Sequence, residues 1–305
     1  MKQYAYEDQL KLLLRILPQV AQEQCFSLKG GTAINLFVRD FPRLSVDIDL
    51  TYTPIEDRKA SLLGIATALN RVHQRVLAAI PGVHAQPLLQ AAEESKLVFQ
   101  LGSANVKLEV NTTLRGTVWP TRELTIVDSV QDAFGFFASN HVVSHAELFG
   151  GKIAAALDRQ HPRDLFDVNQ LYRHDGISEE VVRGFLVALI CHSRPMHELL
   201  LPNPINQRQT FTSQFEGMSR LIFTYDEFVE TRDRLFREMR TRLTERDRAF
   251  LLSLKQGNPD WALAPAIGIE TLPGVQWKLQ NIRKLKANKA KHAEQFAKLK
   301  AVLTE

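Results

Sequence analysis

Between Phe41 and Thr53 the chain reads FPRLSVDIDLTYT, an alternation that fits an extended strand with one apolar and one polar face. Val46, Ile48 and Leu50 fall on one side; Ser45, Asp47 and Asp49 fall on the other. Two carboxylates about 6–7 Å apart along a strand repel one another. A fold tolerates that most readily where a divalent cation sits between them, and hard cations such as Mg²⁺ choose carboxylate and phosphate oxygens. Just upstream, CFSLKGG reads as a strand entering a turn, and TAINLFV as the opening of a helix with Thr32 near its cap and Ile34, Phe37 and Val38 facing inward. Gly30 and Gly31 can adopt backbone conformations that bring N–H groups close to an anion. Thr32 adds a hydroxyl, and the helix adds its positive end. Downstream, VKLEV offers Glu109 as a third carboxylate on a paired strand, on the same face as Lys107. Acids on neighbouring strands beside a glycine turn suit a metal-bound triphosphate, in a layout that two metals can share.

The rest of the chain sorts into two parts. Apolar residues recur at helical spacing from Glu7 to Gln22, with Pro18 marking a kink or an end, and IEDRKASLLGIATALNRVHQRVLAAI forms a long amphipathic helix. SKLVFQLG and NVKLEVNTTL read as strands joined by the turn SAN, and LTIVD as another short strand. Beyond about residue 130 strand signals fade, and the chain reads as helix, including segments near 178–192, 212–217 and 225–254 separated by proline-containing connectors. The expected fold class is α+β: a mixed sheet with flanking helices in residues 1–138, then an all-helical domain in residues 139–305. No run of about eighteen apolar residues is present, so no membrane partner is expected. Two cysteines, Cys25 and Cys191, are too few for a disulfide framework, and a reducing cytoplasm is the expected location.

The run Gly30-Gly31-Thr32 … Ser45-x-Asp47-x-Asp49-Leu50 resembles the first motif of the polymerase-β-type nucleotidyltransferase superfamily, and more narrowly the AbiEii/AbiGii toxin family, which includes the MenT toxins. ELFGGKIAAALDRQHPRDLFDVNQLY resembles that family's second signature, a lysine, an arginine, then Arg-Asp with a further Asp three residues on. HSRPMHELLLP and VQWKLQNI are similar to its C-terminal half, so the likeness spans roughly residues 25–285. The turn departs slightly from the wider superfamily, where Gly-Ser is frequent; Gly31-Thr32 keeps a hydroxyl. The resemblance implies a nucleotidyltransferase-type sheet whose site is completed by the helical domain. It also implies that Ser45, Asp47, Lys152 and Asp167 occupy positions the family needs for activity.

Read physically, Lys152, Ala156, Arg159 and Arg163 share a helix face if the helix persists, and Pro162 breaks it so that Arg163 and Asp164 start a second helix. Phe149, Ile153 and Leu157, then Leu165, Val168 and Leu171, supply the buried stripes. Cations on one face can neutralise triphosphate charge. Asp167 can orient Lys152, take a proton from the acceptor hydroxyl, or hold base or ribose. Asp164 and Asp167 also read as a structural pair, one capping the new helix and one bridged to Arg159 or Arg163. Ser45 can hydrogen-bond phosphate beside Asp47 or be a site where a partner blocks activity. The expected nucleotide-binding set is Gly30, Gly31, Thr32, Ser45, Lys152, Arg159, Arg163 and Asp164. The expected catalytic set is Asp47, Asp49, Lys152 and Asp167, with Mg²⁺ on Asp47, Asp49 and Glu109.

His141, His145 and His161 read as core or surface residues rather than zinc ligands, and Trp119, Trp261 and Trp277 as core anchors. Net charge is +4, and much of the excess lies in a C-terminal basic helix: Lys278, Arg283, Lys284, Lys286, Lys289, Lys291, Lys298 and Lys300, opposed by Glu294 and Glu305. Such a run is either a solvated face or a polyanion-binding patch. With the resemblance, the expected activity is Mg²⁺-dependent transfer of a nucleotide from an NTP to RNA, the tRNA 3′ end, with release of pyrophosphate. A toxin role in phage defence or growth control is implied with it, the cognate antitoxin being encoded alongside. A transferase acting on a small molecule or protein hydroxyl, and a non-catalytic RNA-binding module of the same fold, are the alternatives.

Overall fold

The computed structural model describes residues 2–86, 89–90 and 94–304, and the chain divides into two compact units. The first runs to Ser144 and takes in Gln214–Ile222; the second comprises His145–Ser213 and the residues from Phe223 onward.

The first unit is built on a mixed sheet. Helix α1 (Lys2–Val20) carries Pro18 in its last turn, two residues from its end. Strand β1 (Phe26–Lys29) leads into α2 (Gly30–Ala33), which continues as a π-helical turn over Ile34–Val38. Strand β2 (Asp47–Tyr52) follows, then α3 (Arg58–Ala79), the short β3 (His84–Ala85) and β4 (Leu89–Gln90), and the long hairpin β5 (Glu94–Leu101) and β6 (Ala104–Asn111). Strand β7 (Arg122–Thr125), helix α4 (Asp128–Phe134) and strand β8 (Ser139–Val142) close the unit. The strand order is β3-β5-β6-β2-β1-β8-β7, with β4 also on β5. β2 lies antiparallel to β1 and parallel to β6, while β8 lies parallel to β1. Ile48 and Leu50 are fully buried, as are Leu97, Val106, Leu108 and Val110, and α1 and α3 pack their leucine and valine stripes onto this sheet.

Two features here were not expected from sequence. β8 lies beyond residue 130, where only helix was expected, because Ser139-Asn140-His141-Val142 has little apolar alternation; its pairing with both β1 and β7 holds it instead. Asn140, buried, donates from Nδ2 to the Leu17 carbonyl at 3.1 Å. The segment Gln214–Ile222 also pairs with the chain ahead of β2: Leu44 N–H donates to the Met218 carbonyl at 2.8 Å, and Arg220 N–H to that of Pro42 at 2.9 Å.

The second unit is helical. Its elements are α5 (His145–Arg159), α6 (Pro162–His174), α7 (Glu179–Cys191), α8 (Met196–Leu200), α9 (Arg208–Gln214), α10 (Tyr225–Thr241), α11 (Glu245–Gln256), α12 (Pro273–Lys286) and α13 (Lys289–Thr304). The helix expected over 225–254 is two helices, divided because Thr244 and Asp247 form a capping box at the start of α11. The one expected at 212–217 lies at Arg208–Gln214. The basic tail is likewise two helices, with Asn288 accepting from the Lys291 amide at 3.0 Å to start α13. Where α5 crosses α7 the backbones nearly touch: a Cβ on Gly150 would overlap the Gly184 and Phe185 backbone, and one on Gly184 would overlap the Ala146 carbonyl. Among the described residues, no helix is long and apolar enough to cross a membrane.

Candidate functional site

In the first unit the sheet register assembles a charged row. Asp49 on β2 lies opposite Lys29 on β1 and opposite Glu109 on β6, and Glu109 lies opposite Lys96 on β5. Asp47 lies opposite Lys107. In-register neighbours share a face, so Asp47, Asp49 and Glu109 stand on one side of the sheet, interleaved with lysines. The Lys107 ammonium holds the Glu109 carboxylate at 2.6 Å. Among the described residues, no three acidic, histidine or cysteine side chains converge on one point, so the three acids share a surface without forming a closed cage. Lys29 is shifted downward, because desolvation disfavours its ammonium more than Asp49 opposite favours it.

The glycine turn is fitted to these acids. Gly30 sits at φ +70°, and a Cβ there would run into the Asp49 carboxylate. A Cβ on Gly31 would lie 2.7 Å from Arg43 Nη2 and 3.0 Å from Ser45 Oγ. The helix begins at the glycines themselves, with Lys29 at the N-cap, so Thr32 is not the cap. Instead Thr32 is fully buried, lies 3.0 Å from the Ser45 hydroxyl and donates to the Asp47 main-chain carbonyl. It braces the carboxylate strand against the turn. Asn35 Nδ2 donates to the Gly31 carbonyl at 2.8 Å, closing the turn from the π-helical side.

Sequence reasoning passed over Arg43 and Lys29. Arg43 is 2% exposed and donates from Nη1 to the Leu44 carbonyl at 2.8 Å, directly behind Gly31. It shares the odd-numbered parity of Ser45, Asp47 and Asp49, a signal that could have revealed it. Lys29 directly precedes the glycines, and only the β1–β2 register shows that it meets Asp49.

In the second unit Lys152, Asp164 and Asp167 form a compact group. The Lys152 ammonium, 6% exposed, lies 2.8 Å from Asp164 Oδ1 and 3.0 Å from Asp167 Oδ2. Arg159 adds a two-pronged grip on Asp164, with Nη2 at 3.0 Å. Burial alone would raise the Asp164 carboxyl, but Lys152 and Arg159 overcome it and hold the group well below the ordinary carboxylate range. Lys152 and Asp164 meet because α5 ends at Arg159, Gln160 takes φ +49°, and Pro162 opens α6 with Asp164 in its first turn. Gln160 is anchored on both ends of its amide, donating to the Asn203 carbonyl and accepting from the Ile205 amide, each at 2.8 Å. Arg163 lies in the same first turn; its amide, not a new-helix cap from Asp164, is taken by His161 Nδ1 at 3.1 Å. Phe149, Ile153, Leu157, Leu165, Val168 and Leu171 are all fully buried.

The histidines have structural partners. His161 caps α6, His145 packs its ring at a tilt against Phe149 and lies 3.5 Å from Asp175, and His141 meets Gln24 at 3.1 Å. The tryptophans are half-buried, Trp261 against Phe250. Lys278 does not belong to a solvated face. Lys278 is buried and donates to the carbonyls of His192 and Arg194 at 2.6 and 2.7 Å, and Lys286 donates to that of Gln256 at 3.0 Å, each beyond or at the end of a helix where carbonyls lack partners. Lys298 pairs with Glu294 at 2.7 Å, while Arg283, Lys284, Lys289, Lys291 and Lys300 are exposed.

A model of the AbiEii nucleotidyl transferase toxin family of type IV toxin–antitoxin systems matches residues 11–281. No curated protein sequence matches. Among solved structures, the chain is similar to MenT4, a nucleotidyltransferase toxin from Mycobacterium tuberculosis H37Rv, with a TM-score of 0.58 and 18% identity, over 91% of this chain and 94% of that one. That likeness is one of fold.

Proposed function

Because the chain belongs to the AbiEii nucleotidyl transferase toxin family, we propose that it moves a nucleotide from an NTP to an RNA acceptor, the tRNA 3′ end, and so stops translation. The acceptor hydroxyl bonds to the α-phosphorus as the bond to pyrophosphate breaks, and the hydroxyl proton is released. The observation that carries this reading is the register of Asp47, Asp49 and Glu109 on one sheet face beside a turn that only glycine fits.

That donor set suits Mg²⁺: hard carboxylate oxygens, with room for phosphate oxygens to complete the shell. Asp47 and Asp49 would hold the ion, and Glu109, already engaged by Lys107, would join them more weakly. Bound there, Mg²⁺ would offset triphosphate charge that the chain's own cations leave unbalanced. The Gly30–Gly31 turn presents main-chain N–H groups to phosphate oxygens, while Thr32 and Arg43, both committed to main-chain carbonyls, keep the turn and the acids in place. Ser45 stands beside the turn with its hydroxyl next to that of Thr32. In the second unit, Lys152 and Asp167 carry the family's second signature and are proposed as required for transfer. Asp164 and Arg159 hold the lysine and its partner in one arrangement. The exposed cations of α12 and α13 are proposed to bind RNA phosphates. The cytoplasm, where NTP and tRNA meet, is the proposed location, and the cognate antitoxin the proposed protein partner.

Incubating the full chain with each labelled NTP, Mg²⁺ and total RNA identifies the acceptor. Label at tRNA 3′ ends is expected. Label on protein alone, or on a small molecule alone, would refute the RNA reading.

A further inference from the structure

The helical unit contains a cavity of about 90 Å³ that the transferase reading does not use. Lys255 from α11 and Lys278 from α12 both line it, and each side chain is 6% exposed. Among the described residues, no carboxylate lies within ion-pair distance of either ammonium. Lys278 gives two of its three protons to the carbonyls of His192 and Arg194, just past the end of α7, which offset part of its charge. Among the described residues, Lys255 donates to one neutral partner, the Gln295 side-chain oxygen at 2.7 Å. Counting donors, one N–H of Lys278 and two of Lys255 remain beyond these contacts.

Two buried like charges with no carboxylate in direct contact among the described residues are costly, and cost least when an anion joins them. The surroundings agree. Ser193 adds a hydroxyl at the exposed rim and Asn281 an amide, both able to donate, so the lining is rich in donors. Met196 and Ile282 close the apolar side. Burial, then the nearby Lys255, pushes Lys278 down to about 8, against the smaller opposing effects of Cys191 and Glu198.

We propose that this cavity is a binding site for a small dianionic oxyanion of the phosphate class, held between the Lys255 and Lys278 ammoniums with Ser193 and Asn281. A monoanion would leave one lysine uncompensated, and a cation is excluded by the charge already present. Free phosphate and the terminal phosphate of a phosphomonoester present the same group, and the cavity's open rim at Ser193 admits either. The site stands on residues separate from those proposed for nucleotide transfer and does not rest on that reading.

Thermal unfolding of the full chain at pH 7 and constant ionic strength tests it, in chloride, acetate, inorganic phosphate or a nucleoside monophosphate. For the wild type, inorganic phosphate is expected to raise Tm by at least about 2 °C over chloride, and acetate is not. Lys255→Met, which removes a buried charge and keeps the stem, is expected to fold with a Tm in chloride no lower than wild type and to lose the phosphate increment. Asn281→Ala is expected to reduce it. A response to the nucleoside monophosphate alone, also lost in Lys255→Met, would assign the site to a phosphomonoester. A response to neither phosphate compound, or one undiminished in both variants, would overturn the proposal.

Discussion

Gly30 and Asp49 are in direct steric opposition: at φ +70° the glycine leaves no room for a Cβ beside the Asp49 carboxylate. Two separate constraints therefore fall on this position, one from backbone conformation and one from the side chain across the strand. Gly30→Ala is expected to lose about 1–2 kcal/mol from the left-handed backbone alone. It should also lower transfer activity more than Gly31→Ala, whose backbone carries no such strain. Denaturant midpoints and turnover for the two variants check this; equal effects would detach Gly30 from Asp49.

Lys152 is the counter-charge for two buried aspartates. Lys152→Met leaves Asp164 with Arg159 and Asp167 without that ammonium, and is expected to cost about 3 kcal/mol. Urea unfolding at pH 7 measures it, and a loss under about 1 kcal/mol would show that the group is not electrostatically tight. Activity should vanish as well, so the stability measurement is the one that separates this claim from the catalytic one.

The same group sets an acid limit. Asp164 is held below its ordinary value of 3.8, so the folded protein binds its proton less readily than the unfolded chain does. Its stabilising contribution is complete above that ordinary value and is lost as pH falls below it. Comparing unfolding free energies of wild type and Asp164→Asn between pH 6 and 3 should show a steeper decline in the wild type. Parallel curves would contradict the shift.

Lys278 works with the opposite sign. Its ammonium is pushed from 10.5 down to about 8, with Lys255 on α11 opposing the charge and Cys191 on α7 and Glu198 on α8 favouring it. Between those two values the unfolded chain holds more protons, so this residue's contribution to stability rises with pH across that window. Lys278→Met should flatten the pH dependence of Tm between 8 and 10 relative to wild type. An unchanged profile would remove Lys278 as its source.

Close packing of α5 on α7 separates three neighbouring glycines. Gly184→Ala places a methyl into the Ala146 carbonyl and Gly150→Ala into the α7 backbone, so each is expected to destabilise by about 1–3 kcal/mol. Gly151 faces open space, and Gly151→Ala should stabilise by up to about 1 kcal/mol through helix propensity. Tm values for the three variants provide the check.

What the sequence revealed followed from periodicity. The parity of Asp47 and Asp49, the break at Pro162 and the buried stripe of Phe149, Ile153 and Leu157 are all local patterns and lie as expected, whereas the strand begins only at Asp47, so that Ser45 lies ahead of it and is buried. What it concealed depended on partners distant along the chain. Thr32 reads as a helix cap because its neighbours do; only the fold shows its hydroxyl on the Asp47 carbonyl. Lys278 reads as part of a basic face, yet carbonyls some eighty residues earlier in the chain draw it inside. β8 has no apolar pattern to announce it and exists through its two neighbouring strands. The T-x-x-D box at Thr244 was legible locally and divides what otherwise looks like one helix.

Single-turnover transfer of labelled nucleotide by wild type and Asp47→Asn, at saturating Mg²⁺ and RNA, addresses the carboxylate face directly, with Tm recorded for both. Asp47→Asn should fold with an unchanged Tm and transfer label at least about a hundredfold more slowly. Transfer at the wild-type rate by the folded variant would show that the paired aspartates of β2 are not where the chemistry happens.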